Sequence, residues 1–189
     1  GWTPLHSAAQ QGHTAVVQML IDSGGHLDAL NKKGWTPLNM AAHRGHADVV
    51  KLLVKNGVDI NQTDDGGWTP LNGAAHRGHA ETVRILVESG ADMNIANKDG
   101  WTPLNSAANR NHVSIVMLLL ENGADINLPN ATGRTPLYSA SHRNHIETVR
   151  VLVQHKADLT ICVEGGWTPL NTASKKGHAE VVELLLSPP

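Results

Sequence analysis

Gly34-Trp35-Thr36-Pro37-Leu38-Asn39-Met40-Ala41-Ala42-His43-Arg44-Gly45-His46 is the stretch on which the fold turns, because most of it returns along the chain at a fixed interval. Thr-Pro-Leu begins at Thr3, Thr36, Thr69, Thr102, Thr135 and Thr168, each 33 residues after the last, with no insertion or deletion between them. A constant period of this size marks stacked supersecondary units that bury a ribbon of core between neighbours. The units are 1–33, 34–66, 67–99, 100–132, 133–165 and 166–189, read as a single array over 1–189, with the leading glycine as position 1.

Each unit announces two helices. Threonine at position 3 can accept from the free N–H groups of a first turn, and proline at position 4 has the φ and the missing donor that suit that turn. Leucine at position 5 and small residues at 8 and 9, as in Ala41-Ala42 and Ala74-Ala75, give a narrow inward face. Position 12 is Gly12, Gly45, Gly78, Asn111, Asn144 or Gly177, residues that tolerate the left-handed conformation ending a helix. A second helix follows with apolar residues at i, i+3 and i+4 spacing, Val49, Val50, Leu53 and Val54 in the second unit, and stops at glycines such as Gly57, Gly90 and Gly123. The rest, for example Ala91 to Asp99, is rich in turn formers and suits a hairpin-like connection.

The pattern Gly-x-Thr-Pro-Leu-x-x-Ala-Ala-x-x-Gly-His, an apolar helix, then Gly-Ala-Asp-x-Asn, spread over a unit such as Gly100–Asn127, resembles the ankyrin repeat over the whole chain. The resemblance implies an all-α solenoid of helix-turn-helix units joined by hairpin-like loops. First helices and hairpin tips would line a concave groove, second helices would form the back, and the function would be protein–protein recognition with no catalysis. Two departures matter. Position 6, usually histidine in the family, is His6 only once and then Asn39, Asn72, Asn105, Tyr138 and Asn171, which puts the usual histidine hydrogen bond in doubt. The fifth unit drifts most, with Arg134 for tryptophan, Ser141 for alanine and Lys156 where Gly57 and Gly90 stand, so the weakest link is expected near Lys156.

Composition narrows the function. A formal charge of -2 gives no bulk field for nucleic acid or an anionic membrane. Cys162 is the only cysteine, which rules out an internal disulfide framework and fits a reducing compartment, cytosolic or nuclear. The longest apolar runs, such as 115–120, fall far short of a membrane span. No nucleophile elbow, phosphate-cradling glycine loop or His-Glu-x-x-His is present, so no enzyme and no cofactor are expected within these residues.

The candidate partner-binding residues come from the resemblance, in which positions 2, 10, 11, 32 and 33 face a ligand. Position 2 holds Trp2, Trp35, Trp68, Trp101, Arg134 and Trp167; position 10 holds His43, His76, Asn109 and His142; position 11 holds Arg44, Arg77, Arg110, Arg143 and Lys176. Indoles beside guanidinium groups suit an extended, acidic or carbonyl-rich peptide. The structural alternative has each indole packing over the hairpin of an adjacent unit, with Arg or His at a helix C-terminus. His13, His46, His79, His112, His145 and His178 recur at position 13 and read as loop braces. The i, i+3 pairs His43/His46, His76/His79 and His142/His145 lack a carboxylate or thiol to complete a metal site. Asn61, Asn94 and Asn127 are similar to hairpin asparagines hydroxylated in ankyrin repeats, against a structural role at hairpin amides.

The leading expectation is therefore a protein-interaction module binding a partner or an extended acidic peptide, without nucleic acid or membrane. The second is a stiff spacer or scaffold arm of a larger protein. Both ends carry the apolar signature of the middle, Val16, Val17 and Leu20 at one and Leu184, Leu185 and Leu186 at the other, so a monomer is expected with end-to-end association as a further option.

Overall fold

The computed structural model describes residues 1–187. Among them are twelve helices in six pairs, with one isolated bridge between Val163 and Trp167 and no longer strand pairing. The chain divides into two compact units, Gly1–Lys98 and a second beginning at Asp99. In the first, α1 (Pro4–Gln11), α3 (Pro37–Arg44) and α5 (Pro70–Arg77) pack side by side, as do α2 (Thr14–Asp22), α4 (Ala47–Lys55) and α6 (Ala80–Glu88). In the second, the same holds for α7 (Pro103–Asn109), α9 (Pro136–His142) and α11 (Pro169–Lys176), and for α8 (Val113–Glu121), α10 (Ile146–Gln154) and α12 (Ala179–Leu186).

Local chemistry sets these boundaries. Thr36 is extended at φ -87°, its hydroxyl accepts from the Asn39 amide at 3.1 Å, and Pro37 fills the first helical position. The same cap recurs at Thr3, Thr69, Thr102, Thr135 and Thr168. The first helices stop at left-handed residues, with Gly45 at φ 78° and Asn111 and Asn144 both at 61°. At Gly45 space adds to the demand: a Cβ there would lie 2.5 Å from the His79 ring of the following repeat. Inside, Leu38, Ala41, Ala42, Val49, Val50 and Leu53 of the second repeat are buried, the stripe expected from the spacing.

Position 6 corrects an expectation. His6 Nε2 donates to the Trp35 carbonyl at 2.8 Å, while its Nδ1 takes the Thr3 hydroxyl at 2.8 Å. Asparagine repeats both halves. Asn39 Oδ1 accepts from the Thr36 amide at 2.9 Å and hydroxyl at 2.7 Å, and its Nδ2 donates to the Gln62 carbonyl at 3.2 Å. A carboxamide carries one acceptor and one donor on opposite sides, as a neutral imidazole does, so the link survives the change of residue.

The connections are hairpin-like through side chains more than through strands. Asp64 Oδ1 accepts from the amides of Gly66 (2.8 Å) and Trp68 (2.9 Å), and Asn130 does the same for Thr132 and Arg134, both at 3.0 Å. Successive hairpins join through Asp65 N–H to the Lys33 carbonyl and Ala131 N–H to the Asp99 carbonyl. Asn61 and Asn127 accept from the backbone amides of Asp92 (3.0 Å) and Asp158 (2.9 Å), which is the structural role weighed for them. Lys156 does adopt the left-handed conformation, at φ 63°.

Candidate functional site

The position-13 histidines brace repeats to one another, which is more than a loop brace. His46 Nε2 donates to the Gln10 carbonyl at 2.9 Å and His79 Nε2 to that of His43 at 3.1 Å. In the second unit His145 reaches Asn109 at 3.2 Å and His178 reaches His142 at 3.4 Å. A carbonyl can only accept, so each Nε2 carries the proton. These bonds hold the ends of neighbouring first helices in register, and positions 10 and 11 sit on those ends.

The tryptophans are not equivalent, and several of them meet a ring or a cation of their own repeat. Trp35 meets His43 of its own repeat edge-on, centroids 5.0 Å apart at 70°, and Trp68 meets His76 at 5.1 Å and 81°. Trp2 stacks on His6 at 5.7 Å and donates its indole N–H to Ser7. Trp167 lies under the Lys175 ammonium, 4.6 Å from the ring centre. Trp35, Trp68 and Trp101 are half-buried, while Trp2 is 52% and Trp167 38% exposed.

In the third and fifth repeats position 11 is tied to position 10 of the repeat before. Arg77 Nε donates to His43 Nε2 at 3.0 Å, and Arg143 Nε donates to Asn109 Oδ1 at 2.7 Å. As acceptor, His43 must be neutral with its proton on Nδ1, and burial, then Arg77 and Arg44, lower its pKa from 6.5 to about 4. Bonding through Nε leaves the terminal N–H donors of each guanidinium fork outside this contact.

In the first unit these parts enclose a cleft of about 200 Å³ lined by Trp35, Asn39, His43, Asp64, Trp68, Thr69, Gly73, His76 and Arg77. Five of its residues, Trp35, His43, Trp68, His76 and Arg77, were expected from the sequence. Asp64 and Gly73 were not. Gly73 sits inside α5 at position 7, where the preceding repeat has Met40, and a Cβ added to it would have only His43 as neighbour, at 3.8 Å. Gly73 leaves that part of the cleft wall without a side chain, and the contrast with Met40 was the available signal. Arg44 lies in a neighbouring cleft with Trp2, Trp35 and Met40.

In the second unit Arg134, His142, Arg143 and Lys176 come together with His145 and His178 around an open cleft of about 380 Å³. His142 and His145 are both pushed below their ordinary pKa, chiefly by burial. Asn109 is the acceptor for Arg143, and Arg110 caps the end of α7. Trp101 and Trp167 do not line this cleft. Among the described residues no group of three or more His, Cys, Asp or Glu side chains could hold a metal, and no helix is long and apolar enough to cross a membrane.

A family model of ankyrin repeats matches residues 1–64, 58–130 and 122–189. Among solved structures, an ankyrin repeat domain from Acinetobacter baumannii AYE is 29% identical, with 97% of this chain and 96% of that one covered and a TM-score of 0.90. The ankyrin repeat domain of Bcl-3, described as a unique member of the IkappaB protein family, is 34% identical over 98% and 86%, with a TM-score of 0.89. A third, an ankyrin repeat protein, is 31% identical over 97% and 96%, with a TM-score of 0.91. No curated protein sequence matches the chain. Ankyrin repeats are protein–protein interaction modules without catalytic activity of their own, and this chain, matched from end to end, belongs to the ankyrin-repeat family.

Proposed function

We propose that the chain binds a partner protein through an extended, acidic segment laid against positions 2, 10 and 11 of its repeats. The observation that carries this reading is the cleft between Trp35 and Trp68. Two indoles supply apolar walls, Gly73 leaves the floor open, and the Arg77 guanidinium stands at its edge, pre-set by His43. Preorganised aromatic and arginine groups are what concentrate binding energy at interfaces. An apolar side chain of the partner fills the cleft and a neighbouring carboxylate meets Arg77. A reducing compartment, cytosolic or nuclear, belongs to this reading and rests on the single cysteine. The test is to pan a pool of peptides rich in Asp and Glu, each with one apolar anchor, against the wild type. Selected sequences should lose roughly tenfold in affinity on Gly73→Met or Arg77→Glu. Sequences that bind all three proteins alike would refute the reading.

One observation favours the second reading, a stiff spacer within a larger protein. Arg77 to His43 and Arg143 to Asn109 are bonds between repeats, so the same arginines also stiffen the stack. On that reading panning selects nothing, and removing each half-buried tryptophan costs about 1 kcal/mol or more of stability.

A further inference from the structure

The fifth repeat departs from its neighbours by a concerted exchange. Position 2 carries Arg134 in place of tryptophan and position 6 carries Tyr138 in place of asparagine or histidine. The two changes meet in space. The Arg134 guanidinium carbon lies 5.8 Å from the centre of the Tyr138 ring, which stacks on His142 at 6.0 Å with 16° between the planes. An aromatic ring still backs the position-10 histidine, but it has moved from position 2 to position 6 and left position 2 to a cation.

The outcome is a basic cleft with no carboxylate among its lining residues: Arg134, His142, Arg143, His145, Lys176 and His178. Among the described residues the ion pairs join Arg84 to Glu81 and Arg150 to Glu147, and neither involves Arg134, Arg143 or Lys176. The first-unit cleft differs, since there a carboxylate, Asp64, is among the lining residues with Arg77. Two of the three cations in the basic cleft are held in place, Arg143 by Asn109 and Arg134 by the tyrosine face. After burial, the largest influences lowering the pKa of His142 are Lys176, Arg134 and Arg143, so all three charges act on the same space. Like charges gathered without a counter-ion repel one another, and an anion seated among them removes that cost.

We propose that this cleft receives a phosphate monoester borne by the partner protein, a phosphorylated serine, threonine or tyrosine side chain. Three cations, two of them held in place, suit a group with nearly two negative charges and three acceptor oxygens, whereas a single carboxylate satisfies one of the two guanidinium forks and leaves the rest unpaired. The inference rests on the reading that a protein segment lies on this face, and it names the chemistry of one of that segment's side chains.

The experiment is calorimetric titration of the full chain with a short phosphoserine peptide, its serine and glutamate twins, and inorganic phosphate. The phosphoserine peptide should bind roughly tenfold or more tightly than either twin and more tightly than inorganic phosphate. That preference should vanish in Arg134→Gln and Lys176→Gln, and in Arg134→Trp combined with Tyr138→Asn, which restores the pattern of the other repeats and keeps the fold. Lys55→Gln, at an exposed position at the end of α4, removes the same charge and should change nothing. Equal binding of the phosphoserine and glutamate peptides, or equal losses in Lys55→Gln and Arg134→Gln, would overturn the proposal. Phosphopeptide binding no tighter than inorganic phosphate would overturn the assignment to a partner side chain. A single-stranded oligonucleotide preferred over the phosphopeptide would do the same. Because these titrations do not involve the Trp35/Trp68 cleft, they succeed or fail independently of the panning experiment.

Discussion

The Nε–H of Arg77 donates to Nε2 of His43 across 3.0 Å, joining the ends of two successive first helices. The bond requires a neutral imidazole, and burial followed by the Arg77 and Arg44 charges holds the His43 pKa at about 4. Because the folded value lies below the ordinary 6.5, the folded protein binds fewer protons than the unfolded one between these limits. The stability contributed is complete above the unfolded value and is lost as pH falls through that window. An NMR titration should give His43 a midpoint near 4, rising in Arg77→Gln but staying depressed by burial. An ordinary histidine midpoint in the wild type would contradict this.

Position 6 should accept histidine and reject alanine. Asn39→His restores both directions of hydrogen bonding shown by His6 and should leave stability within about 1 kcal/mol. Asn39→Ala strands the buried Thr36 amide and hydroxyl and should cost about 2 kcal/mol in urea unfolding.

The fifth repeat should be the easiest to stabilise. Ser141 is fully buried at a position that is alanine in the first four repeats, and its hydroxyl has no hydrogen-bond partner. Ser141→Ala should add about 1 kcal/mol. Lys156→Gly should add about 1 kcal/mol by relieving the left-handed conformation of a residue with a Cβ. Hydrogen exchange should show the lowest protection around 156, and uniform protection across all repeats would count against this ranking.

The indoles should differ in access to solvent. In single-tryptophan variants, acrylamide should quench Trp2 and Trp167 most readily, in keeping with exposures of 52% and 38%, and the half-buried Trp35 and Trp68 less. Equal quenching of all of them would contradict the edge-on packing against His43 and His76.

How much of this was legible in the sequence follows the range of the interactions. Thr36-Pro37 and Gly45 declare a helix start and stop because caps and left-handed turns involve residues a few positions apart. Their recurrence at 33 residues then fixed the repeat. Asn39 was misjudged because identity at one position was read in place of donor and acceptor geometry. The contact of Trp35 with His43 was not legible, since it depends on side-chain direction, which periodicity does not encode. The first-unit cleft depends on a side chain that is missing at Gly73, and its meaning emerges only beside Met40 one repeat earlier. Arg134 and Tyr138 looked like separate drifts until their stacking joined them to His142.

The most direct test of the central claim, that the face carrying positions 2, 10 and 11 holds a partner segment, is an NMR titration of the five indole N–H resonances with a peptide selected by panning. Binding should shift Trp35 and Trp68 first, and Gly73→Met, which puts a side chain on the bare floor of the cleft, should abolish those shifts while the protein stays folded. Binding that leaves Trp35 and Trp68 unmoved, or shifts that persist unchanged in Gly73→Met, would contradict it.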